Sequence, residues 1–177
     1  MAGTVENGFF SIYQTMNYTP VGGNALLPVI DGISAIVGTN KLTVLGHSLG
    51  SALASYLTLD LAVSPKFKGN LSACLFASPH PADSIFAAFF NAHVINYKVY
   101  NYSRDIVPRV PFSFGYSPLP QAMVFEPQDA NAIIKSTLGG NHHAICYAAM
   151  INYAASNWAN VMPVDAACAA CILGPNP

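Results

Sequence analysis

The segment Lys41-Leu42-Thr43-Val44-Leu45-Gly46-His47-Ser48-Leu49-Gly50 predicts a strand that turns sharply into a helix. Lys41 to Leu45 is a short apolar run with β-branched residues, which is typical of a buried parallel strand. Gly46 to Gly50 is a tight turn with the pattern Gly-x-Ser-x-Gly, and Ser51 to Val63 has apolar residues at helical spacing. The segment therefore places Ser48 at the apex of a strand–turn–helix unit.

The alternation of strand and helix continues on both sides of this unit. Upstream, apolar spacing predicts a helix that opens within Gly8–Tyr13 and a second helix from Ala25 to Val37, with Gly38 as its stop signal. Downstream we predict strands at Leu71–Ala77, Val94–Tyr102 and Ala122–Glu126, helices at Ala82–Ala92 and about His143–Trp158, and a long loop at Ser103–Pro120. This order predicts an α/β fold with a mostly parallel sheet and helices on both faces. We expect one domain over residues 1–177, with a loose tail over residues 163–177.

The composition narrows the classes of function. Hydrophobic residues make up 53% of the 177 residues and charged residues 8%, against a usual charged share of about 25%. The net charge is −1 and the seven Lys and Arg residues form no basic run, so we expect no nucleic-acid partner. No apolar stretch reaches the roughly 18 residues that span a bilayer, and residues 1–7 lack the features of a secretory signal. The low content of charged residues is compatible with an apolar surface that binds an apolar substrate, and equally with an ordinary protein built on a buried sheet.

The four cysteines do not have the pattern of a metal site. Cys74 and Cys146 lie in apolar runs, where we expect buried free thiols. Cys168 and Cys171 have the spacing of a redox motif, but their Ala-rich tail lacks the βαβ context of such a motif. A local Cys168–Cys171 disulfide and two unpaired thiols are the alternatives. A zinc site would need a second pair of ligands at a suitable spacing, so we expect neither a metal nor an organic cofactor.

The spacing of the turn fits a nucleophilic serine. The Oγ of Ser48 must project above the sheet edge from a strained turn, and small residues at Gly46 and Gly50 keep the strand and the helix from clashing. The amide of Leu49, at the helix N-terminus, can donate a hydrogen bond to a developing oxyanion. The alternative is an incidental glycine-rich turn between a strand and a helix.

A nucleophilic serine needs a base, and the base needs an acid that orients it. On a strand–turn–helix site of this kind the acid follows the serine in the chain and the histidine follows the acid. Asp60 lies in the helix after the turn, too close in sequence to reach the active edge, and Asp83 has the position of a helix N-cap. Asp105 directly follows the strand predicted to end at Tyr102, at the carboxyl edge where open α/β sheets bind ligands. We therefore predict Asp105 as the acid.

The chain has five histidines as candidates for the base. His142 and His143 lie downstream of Asp105 at the start of a predicted helix, and one of the two is the expected base. The other is expected to begin the helix or to support the site. His93 precedes a predicted strand and is most simply a surface residue.

Three further residues are assigned to the lining of the substrate pocket. His47 lies beside Ser48 with its side chain expected to point away from Oγ, and His80 lies in the loop after the second predicted strand. Phe112 belongs to an apolar and aromatic loop whose other members are Phe114, Tyr116 and Leu119. This loop is either a pocket for an acyl chain or aromatic acid, or plain packing.

Five segments of the chain carry motifs that recur together in one family. They are Val5-Glu-Asn-Gly-Phe-Phe-Ser-Ile-Tyr13, Leu42-Thr-Val-Leu-Gly-His-Ser-Leu-Gly-Ser-Ala-Leu-Ala54, Phe76-Ala-Ser-Pro79, Tyr100-Asn-Tyr-Ser-Arg-Asp-Ile-Val-Pro-Arg-Val-Pro111 and Asn141-His-His-Ala-Ile-Cys-Tyr147. Together they span most of residues 5–153. In this combination the chain resembles the class 3 lipases, a family of fungal-lipase-like α/β-hydrolases. One departure is Ser51, which stands where the family usually has a third glycine.

The resemblance implies a Ser-His-Asp triad with Asp105 as its acid. In many family members the base precedes the tyrosine of the last motif by five positions, which favours His142, whereas a shorter spacing would favour His143. The resemblance also implies a secreted or extracellular protein.

The family usually has a strand and a lid before the Gly-Phe segment, and the strand supplies a second oxyanion donor, a Ser or Thr. Seven residues precede Gly8, so we expect either a fragment of a longer protein or a reduced version of the domain. Loss of one donor weakens transition-state stabilisation by about 3 kcal/mol. An N-terminal segment in cis or in trans could restore the donor and the lid.

The first hypothesis is a carboxylic ester hydrolase, a lipase or esterase that works through an acyl-enzyme on an ester or lipid substrate, with a lipid–water interface as one setting. Lipase, short-chain esterase, phospholipase A1 and feruloyl esterase all remain open. The alternative is a non-catalytic or incomplete hydrolase-like domain that binds lipid or a partner chain. The triad residues, in the order of a hydrolase, favour the first hypothesis.

Overall fold

The computed structural model describes residues 2–113, 115–154 and 171–177. Its helices are α1 (Asn7–Gln14), α2 (Val29–Val37), α3 (Leu49–Val63), α4 (Ser84–His93), α5 (Leu138–His142) and α6 (Ala144–Ile151), with a 3₁₀ turn at Val107–Arg109. Its strands are β1 (Asn17–Tyr18), β2 (Leu27–Pro28), β3 (Lys41–His47), β4 (Asn70–Phe76), β5 (Tyr97–Tyr102), β6 (Ala122–Phe125), β7 (Ala132–Ile134) and β8 (Ile172–Pro175). Within the described ranges, none of the helices has the length and apolar character needed to cross a membrane.

The central sheet consists of β3, β4, β5 and β6 in that order, and all neighbouring strands in it are parallel. Strands β3 and β4 pair along their full length, from Lys41 opposite Asn70 to His47 opposite Phe76. Helix α3 connects β3 to β4 and helix α4 connects β4 to β5, since parallel neighbours need a crossover rather than a hairpin turn. The predicted α/β fold with a mostly parallel sheet is confirmed.

The main core lies between α3 and one face of the sheet. Alternate strand residues point into it, because successive side chains of a strand face opposite sides. Its most buried members include Tyr56, Leu59, Leu75, Phe86, Phe90 and Val99. Burial of these large apolar side chains is what holds α3 and α4 against the sheet.

Helix α6 covers the carboxyl end of the opposite face. Tyr147 packs edge-on against Phe125 with ring centroids 5.9 Å apart. Two residues closer to the amino ends of β3 and β6 than His47 and Phe125, Leu45 is 68% exposed and Met123 is 54% exposed. Helices therefore lie on both faces as predicted, and the second face is open at its amino end in the part of the chain that the structure describes.

The two helices before the turn at Ser48 follow the prediction, except that the second begins later. Helix α1 contains the predicted Gly8–Tyr13 stretch and is capped by Glu6, whose carboxylate accepts the Phe9 N–H at 2.7 Å. Helix α2 begins at Val29 rather than Ala25, because Leu27–Pro28 pairs with Asn17–Tyr18 as a short antiparallel ladder. It ends at Gly38 as predicted, where the φ angle of 57° favours glycine.

The C-terminal part of the chain differs from the prediction. The single helix expected at about His143–Trp158 is replaced by α5 and α6, which meet at His143, and residues 155–158 lie outside the described residues. The expected loose tail is wrong for residues 171–177, because Ile172–Pro175 forms β8, antiparallel to β7. Residues 163–170 lie outside the described residues.

The cysteine pairing also differs from the prediction. Cys146 is bonded to Cys171 in a disulfide, so Cys146 is not the free buried thiol that its apolar surroundings suggested. The pairing brings α6 against the start of β8, a contact between residues 25 positions apart in the chain. Cys74 is a free cysteine as expected, but it is half-buried rather than buried. Cys168 lies outside the described residues.

Candidate active site

Ser48 occupies a strained turn between β3 and α3. Its φ of 58° and ψ of −130° lie where non-glycine residues are rare, and such strain persists only where surrounding contacts hold it. Its N–H donates to the carbonyl of Phe76 at 3.0 Å, which ties the turn to the end of β4. A Cβ on Gly46 would lie 2.7 Å from the Cα of Ser51, so a larger residue would push α3 away from β3. Gly50 has no such neighbour within 4 Å, so close packing requires a glycine at position 46 and not at position 50.

His142, the last residue of α5, contacts both Ser48 and Asp105. Its Nε2 lies 2.8 Å from Ser48 Oγ, and its Nδ1 lies 2.9 Å from Asp105 Oδ2. Because a carboxylate accepts, Nδ1 carries the proton and Nε2 is the acceptor for the serine hydroxyl. His143, the alternative base, is the cap residue of α6 and is exposed. The structure thus brings His142, rather than His143, to the serine.

Two hydrogen bonds hold α5 in the position that this contact requires. At its start, the Oγ1 of Thr137 accepts the N–H of Gly140 at 2.9 Å and caps the helix. Near its end, the side-chain amide of Asn141 donates to the carbonyl of Arg104 at 3.1 Å. The second bond joins α5 to the loop that carries Asp105.

Asp105 follows β5 and has a side chain that is only 1% exposed. Its Oδ1 accepts the N–H of Val107 at 3.0 Å, and its Oδ2 accepts the hydroxyl of Tyr147 at 2.8 Å as well as His142 Nδ1. A buried carboxylate is costly unless it is hydrogen-bonded. These three donors therefore make Asp105 a stable acceptor for the histidine.

Tyr147 is the residue of the site that the sequence did not reveal. Its hydroxyl donates to Asp105 and accepts the N–H of Tyr102 at 2.9 Å. Burial, reinforced by the charge of Asp105, raises the pKa of Tyr147, so the phenol stays protonated as a donor. The one sign of Tyr147 in the sequence was that it shares a motif with His142. Its contact with Asp105 spans 42 residues and depends on how α6 crosses the end of β5.

His47 and His80, both predicted to line the substrate pocket, have different surroundings in the structure. His47 lines an apolar cavity of about 210 Å³ between β3, β4 and α6, together with Phe76, Ala144, Tyr147 and Ala148. His80 is half-buried in the loop after β4, where its N–H donates to the carbonyl of Val110 at 2.8 Å. Burial lowers the pKa of both His47 and His80 from the usual histidine value, which favours their neutral forms.

The aromatic loop divides into packing and surface residues. Leu119 is 3% exposed and belongs to the main core, so its role is plain packing. Phe112 is 70% exposed, Tyr116 is half-buried, and Phe114 lies outside the described residues. Among the side chains of this loop that the structure describes, Phe112 is exposed enough to contact a substrate or a surface.

Leu49 is the first residue of α3, directly after Ser48. The N–H groups in the first turn of a helix have no partner within the helix, and the helix dipole adds partial positive charge there. The Leu49 amide therefore has the chemistry of an oxyanion donor beside the serine. In the part of the chain that the structure describes, β3 is paired on one side only, with β4.

Comparison with known proteins gives one consistent result. The family described as Lipase (class 3) matches residues 1–115. A lipase from Rhizopus niveus is 34% identical over 118 residues, covering 63% of this chain and 28% of the relative. A secreted mono- and diacylglycerol lipase A from Penicillium cyclopium is 32% identical over 109 residues, covering 58% of this chain and 34% of the relative.

Solved structures agree with these relatives. Lipase II from Rhizopus niveus superposes with a TM-score of 0.50 at 34% identity, over 63% of this chain and 41% of that structure. A mutant form of MDLA from Penicillium cyclopium has a TM-score of 0.54 at 25% identity, over 68% of this chain and 42% of that structure. The chain thus spans less than half the length of the relatives it matches. Since the family matches well over half of its residues, this chain belongs to the class 3 lipase family.

Proposed function

We propose that this protein hydrolyses carboxylic esters through a Ser48–His142–Asp105 triad. The observation that carries the proposal is the continuous chain of hydrogen bonds from Ser48 Oγ to His142 Nε2 (2.8 Å) and from His142 Nδ1 to Asp105 Oδ2 (2.9 Å). This is the arrangement in which a neutral imidazole accepts a serine proton while a buried carboxylate holds its tautomer.

The proposed reaction proceeds in two halves. Ser48 Oγ attacks the ester carbonyl while His142 Nε2 takes the serine proton, and the Leu49 N–H donates to the oxyanion. His142 then delivers that proton to the leaving alcohol, which leaves an acyl group on Ser48. A water molecule, deprotonated by His142, attacks the acyl-enzyme, and the acid is released as Ser48 regains its proton. Asp105 stays ionised and stabilises the imidazolium in both halves.

We propose a lipid ester as the substrate class. The relatives named above are lipases, and one is a mono- and diacylglycerol lipase. The low content of charged residues, 8% of the chain, and the exposed Phe112 support contact with an apolar substrate or a lipid–water interface. A series of p-nitrophenyl esters with increasing acyl length tests this choice, and the proposal expects long acyl chains to be favoured over acetate.

We further propose that a second segment, in cis or in trans, completes the oxyanion hole. The family resemblance implies a Ser or Thr donor on a strand upstream of β3. The unpaired side of β3, in the described part of the chain, is where such a strand would add by main-chain hydrogen bonds. One oxyanion donor contributes about 10²–10³ in kcat, so we expect ester hydrolysis to be faster by that order when such a segment is present than when it is absent.

The decisive experiment compares Ser48→Ala with Ser51→Ala. Both change serine to alanine within four positions, but Ser51 is fully buried and its hydroxyl has no hydrogen-bond partner among the described residues. We expect ester hydrolysis and covalent labelling by a fluorophosphonate in the wild type and in Ser51→Ala, and neither in Ser48→Ala. Absence of labelling in folded wild type would support the non-catalytic alternative, and turnover retained by Ser48→Ala would rule out the proposed nucleophile.

A further inference from the structure

The side chain of His47 reaches the backbone of His142. His47 is the last residue of β3, directly before Ser48, and its Nε2 lies 2.7 Å from the carbonyl oxygen of His142, 95 positions away. The two rings lie with centroids 4.8 Å apart, and Tyr147 packs edge-on against His47 at 5.6 Å. The residue beside the proposed nucleophile is therefore in contact with the proposed base.

The carbonyl that His47 contacts is one that a helix leaves without a partner. His142 ends α5, and the chain leaves the helix at His143 with a ψ of 136°. The last carbonyl groups of a helix accept no hydrogen bond from within the helix, so they need a donor from elsewhere. The His47 ring supplies that donor from the strand that carries Ser48.

The hydrogen bond also fixes the chemical form of His47. A carbonyl oxygen only accepts, so Nε2 must carry the proton. Burial lowers the pKa of His47, while the groups around it are His142, His143, Asp105 and Tyr147. His47 is then a neutral Nε2–H donor, and it places no positive charge beside His142 when that ring takes up the serine proton.

We infer that His47 is a positioning residue, which holds the backbone of the base at a fixed distance from the nucleophile through the Nε2–H bond to the His142 carbonyl. The inference rests on the proposed function. On the other side of the base, Asn141 ties α5 to Arg104, next to Asp105. The peptide that carries His142 is thus tethered to the nucleophile strand and to the acid loop at once.

Substitution of His47 by asparagine or by glutamine distinguishes a positioning role from a pocket-lining role. Glutamine places its amide nitrogen near the position of the histidine Nε2, whereas asparagine places it near Nδ1. We therefore expect His47→Asn to lower kcat for p-nitrophenyl butyrate between about 10-fold and 100-fold with KM nearly unchanged, since small displacements of a catalytic group have effects of that size. His47→Gln should recover most of the lost kcat.

The matched pair separates positioning from folding, because both variants introduce a carboxamide and differ by one methylene group. Thermal unfolding of each variant shows whether the fold is retained, and the rate of fluorophosphonate labelling at Ser48 should fall and recover in parallel with kcat. Equal kcat in wild type and His47→Asn, or equal loss in His47→Gln and His47→Asn with both folded, would overturn the inference. A shift confined to KM would do the same.

A measurement on the wild type tests the donor directly. At pH 8, above the ordinary histidine pKa of about 6.5, nitrogen-15 NMR of the histidine rings should show His47 as the neutral Nε2–H tautomer, and an Nδ1–H tautomer would contradict the inference. Failure of the proposed function has a different signature. Folded wild type that neither hydrolyses esters nor reacts with the fluorophosphonate rejects the function, whereas active wild type with an insensitive His47→Asn rejects only the role of His47.

Discussion

The hydroxyl of Tyr147 connects the buried carboxylate of Asp105 to the backbone of β5. It donates to Asp105 Oδ2 at 2.8 Å and accepts from the N–H of Tyr102 at 2.9 Å. In Tyr147→Phe the Tyr102 N–H and one carboxylate lone pair both lose a partner. An unsatisfied buried polar group costs about 1–3 kcal/mol, so we expect a loss of that size in the free energy of unfolding, together with a reduced kcat.

Denaturant unfolding and ester hydrolysis of Tyr147→Phe check this expectation, with Tyr102→Phe as the control. Tyr102 is equally buried in the same cluster, but its backbone N–H, not its hydroxyl, bonds to Tyr147. We expect Tyr102→Phe to change stability and kcat much less. Equal effects of the two variants would show that packing, rather than the contact with Asp105, explains the loss.

His80 is a second residue with a specific prediction, in this case for pH. Burial lowers the pKa of His80, opposed by its hydrogen bond to the backbone of Pro108. His80 therefore binds a proton more readily in the unfolded chain than in the folded chain. The contribution of neutral His80 to stability is complete above its unfolded pKa of about 6.5, and it is lost as the pH falls below that value. We expect the free energy of unfolding to fall between pH 7 and pH 5.

Urea unfolding at pH 7, 6 and 5 measures this dependence, and His80→Gln should make it shallower. The pKa of His47 is also lowered by burial, so part of the dependence should remain in the variant. Asp83 has a lowered pKa, chiefly because it accepts the N–H of Phe86, but a carboxylate affects stability at lower pH. An identical pH dependence in wild type and His80→Gln would contradict the prediction.

At the scale of elements, each helix of the site is placed by its ends. Ser48 is the N-cap residue of α3, Thr137 is the N-cap residue of α5, and α5 ends at His142. Helix α4 begins at Asp83, as the sequence predicted, and the Asp83 carboxylate accepts the Phe86 N–H at 2.9 Å. The candidate catalytic side chains Ser48 and His142 therefore lie at helix ends, where backbone groups are free to bond to side chains or ligands.

Asp83 joins α4 to the N-terminal segment as well as capping the helix. Its second oxygen accepts the N–H of Thr4 at 2.7 Å. We expect Asp83→Ala to lower the free energy of unfolding by about 1 kcal/mol, the usual value of an N-cap. Asp83→Asn keeps one oxygen acceptor and should lose less. Thermal unfolding of the two variants measures the difference, and a neutral Asp83→Ala would show that the cap contributes nothing here.

At the scale of the whole molecule, residues 171–175 are attached to the rest of the fold by strand pairing and by a disulfide. Strand β8 pairs with β7, and the Cys146–Cys171 disulfide joins it to α6, the helix that carries Tyr147. In the described part of the chain, β3 lies at the edge of the central sheet and pairs with β4 alone. The two sides of the described fold thus differ, because one is fixed by a disulfide and the other ends in the unpaired edge of β3.

The disulfide gives a prediction for the whole fold. A crosslink that closes a loop of this size contributes about 3 kcal/mol, mainly by restricting the unfolded chain, and its residues lie 25 positions apart. We expect Cys146→Ala to lower the melting temperature under oxidising conditions, whereas Cys74→Ala, at the free cysteine, should have a smaller effect. Peptide mapping without reduction should find Cys146 linked to Cys171, and a Cys168–Cys171 link would contradict the pairing.

The sequence by itself determined the strand–turn–helix unit around Ser48, the parallel sheet and the order of Ser48, Asp105 and the histidine pair along the chain. These features depend on local rules: apolar periodicity, the stop at Gly38, and the close approach that requires Gly46. A local rule acts within a few residues, so it can be applied to the sequence directly.

Only the tertiary structure placed His142 rather than His143 beside Ser48, paired Cys146 with Cys171, and brought Tyr147 to Asp105 and His47 to the His142 carbonyl. The partners in these contacts lie 25 to 95 positions apart. Their choice depends on the angle at which α5 and α6 cross the ends of the strands, and that angle is set by packing of the whole core. Neighbouring residues such as His142 and His143 are chemically identical, and only their direction from the backbone distinguishes them.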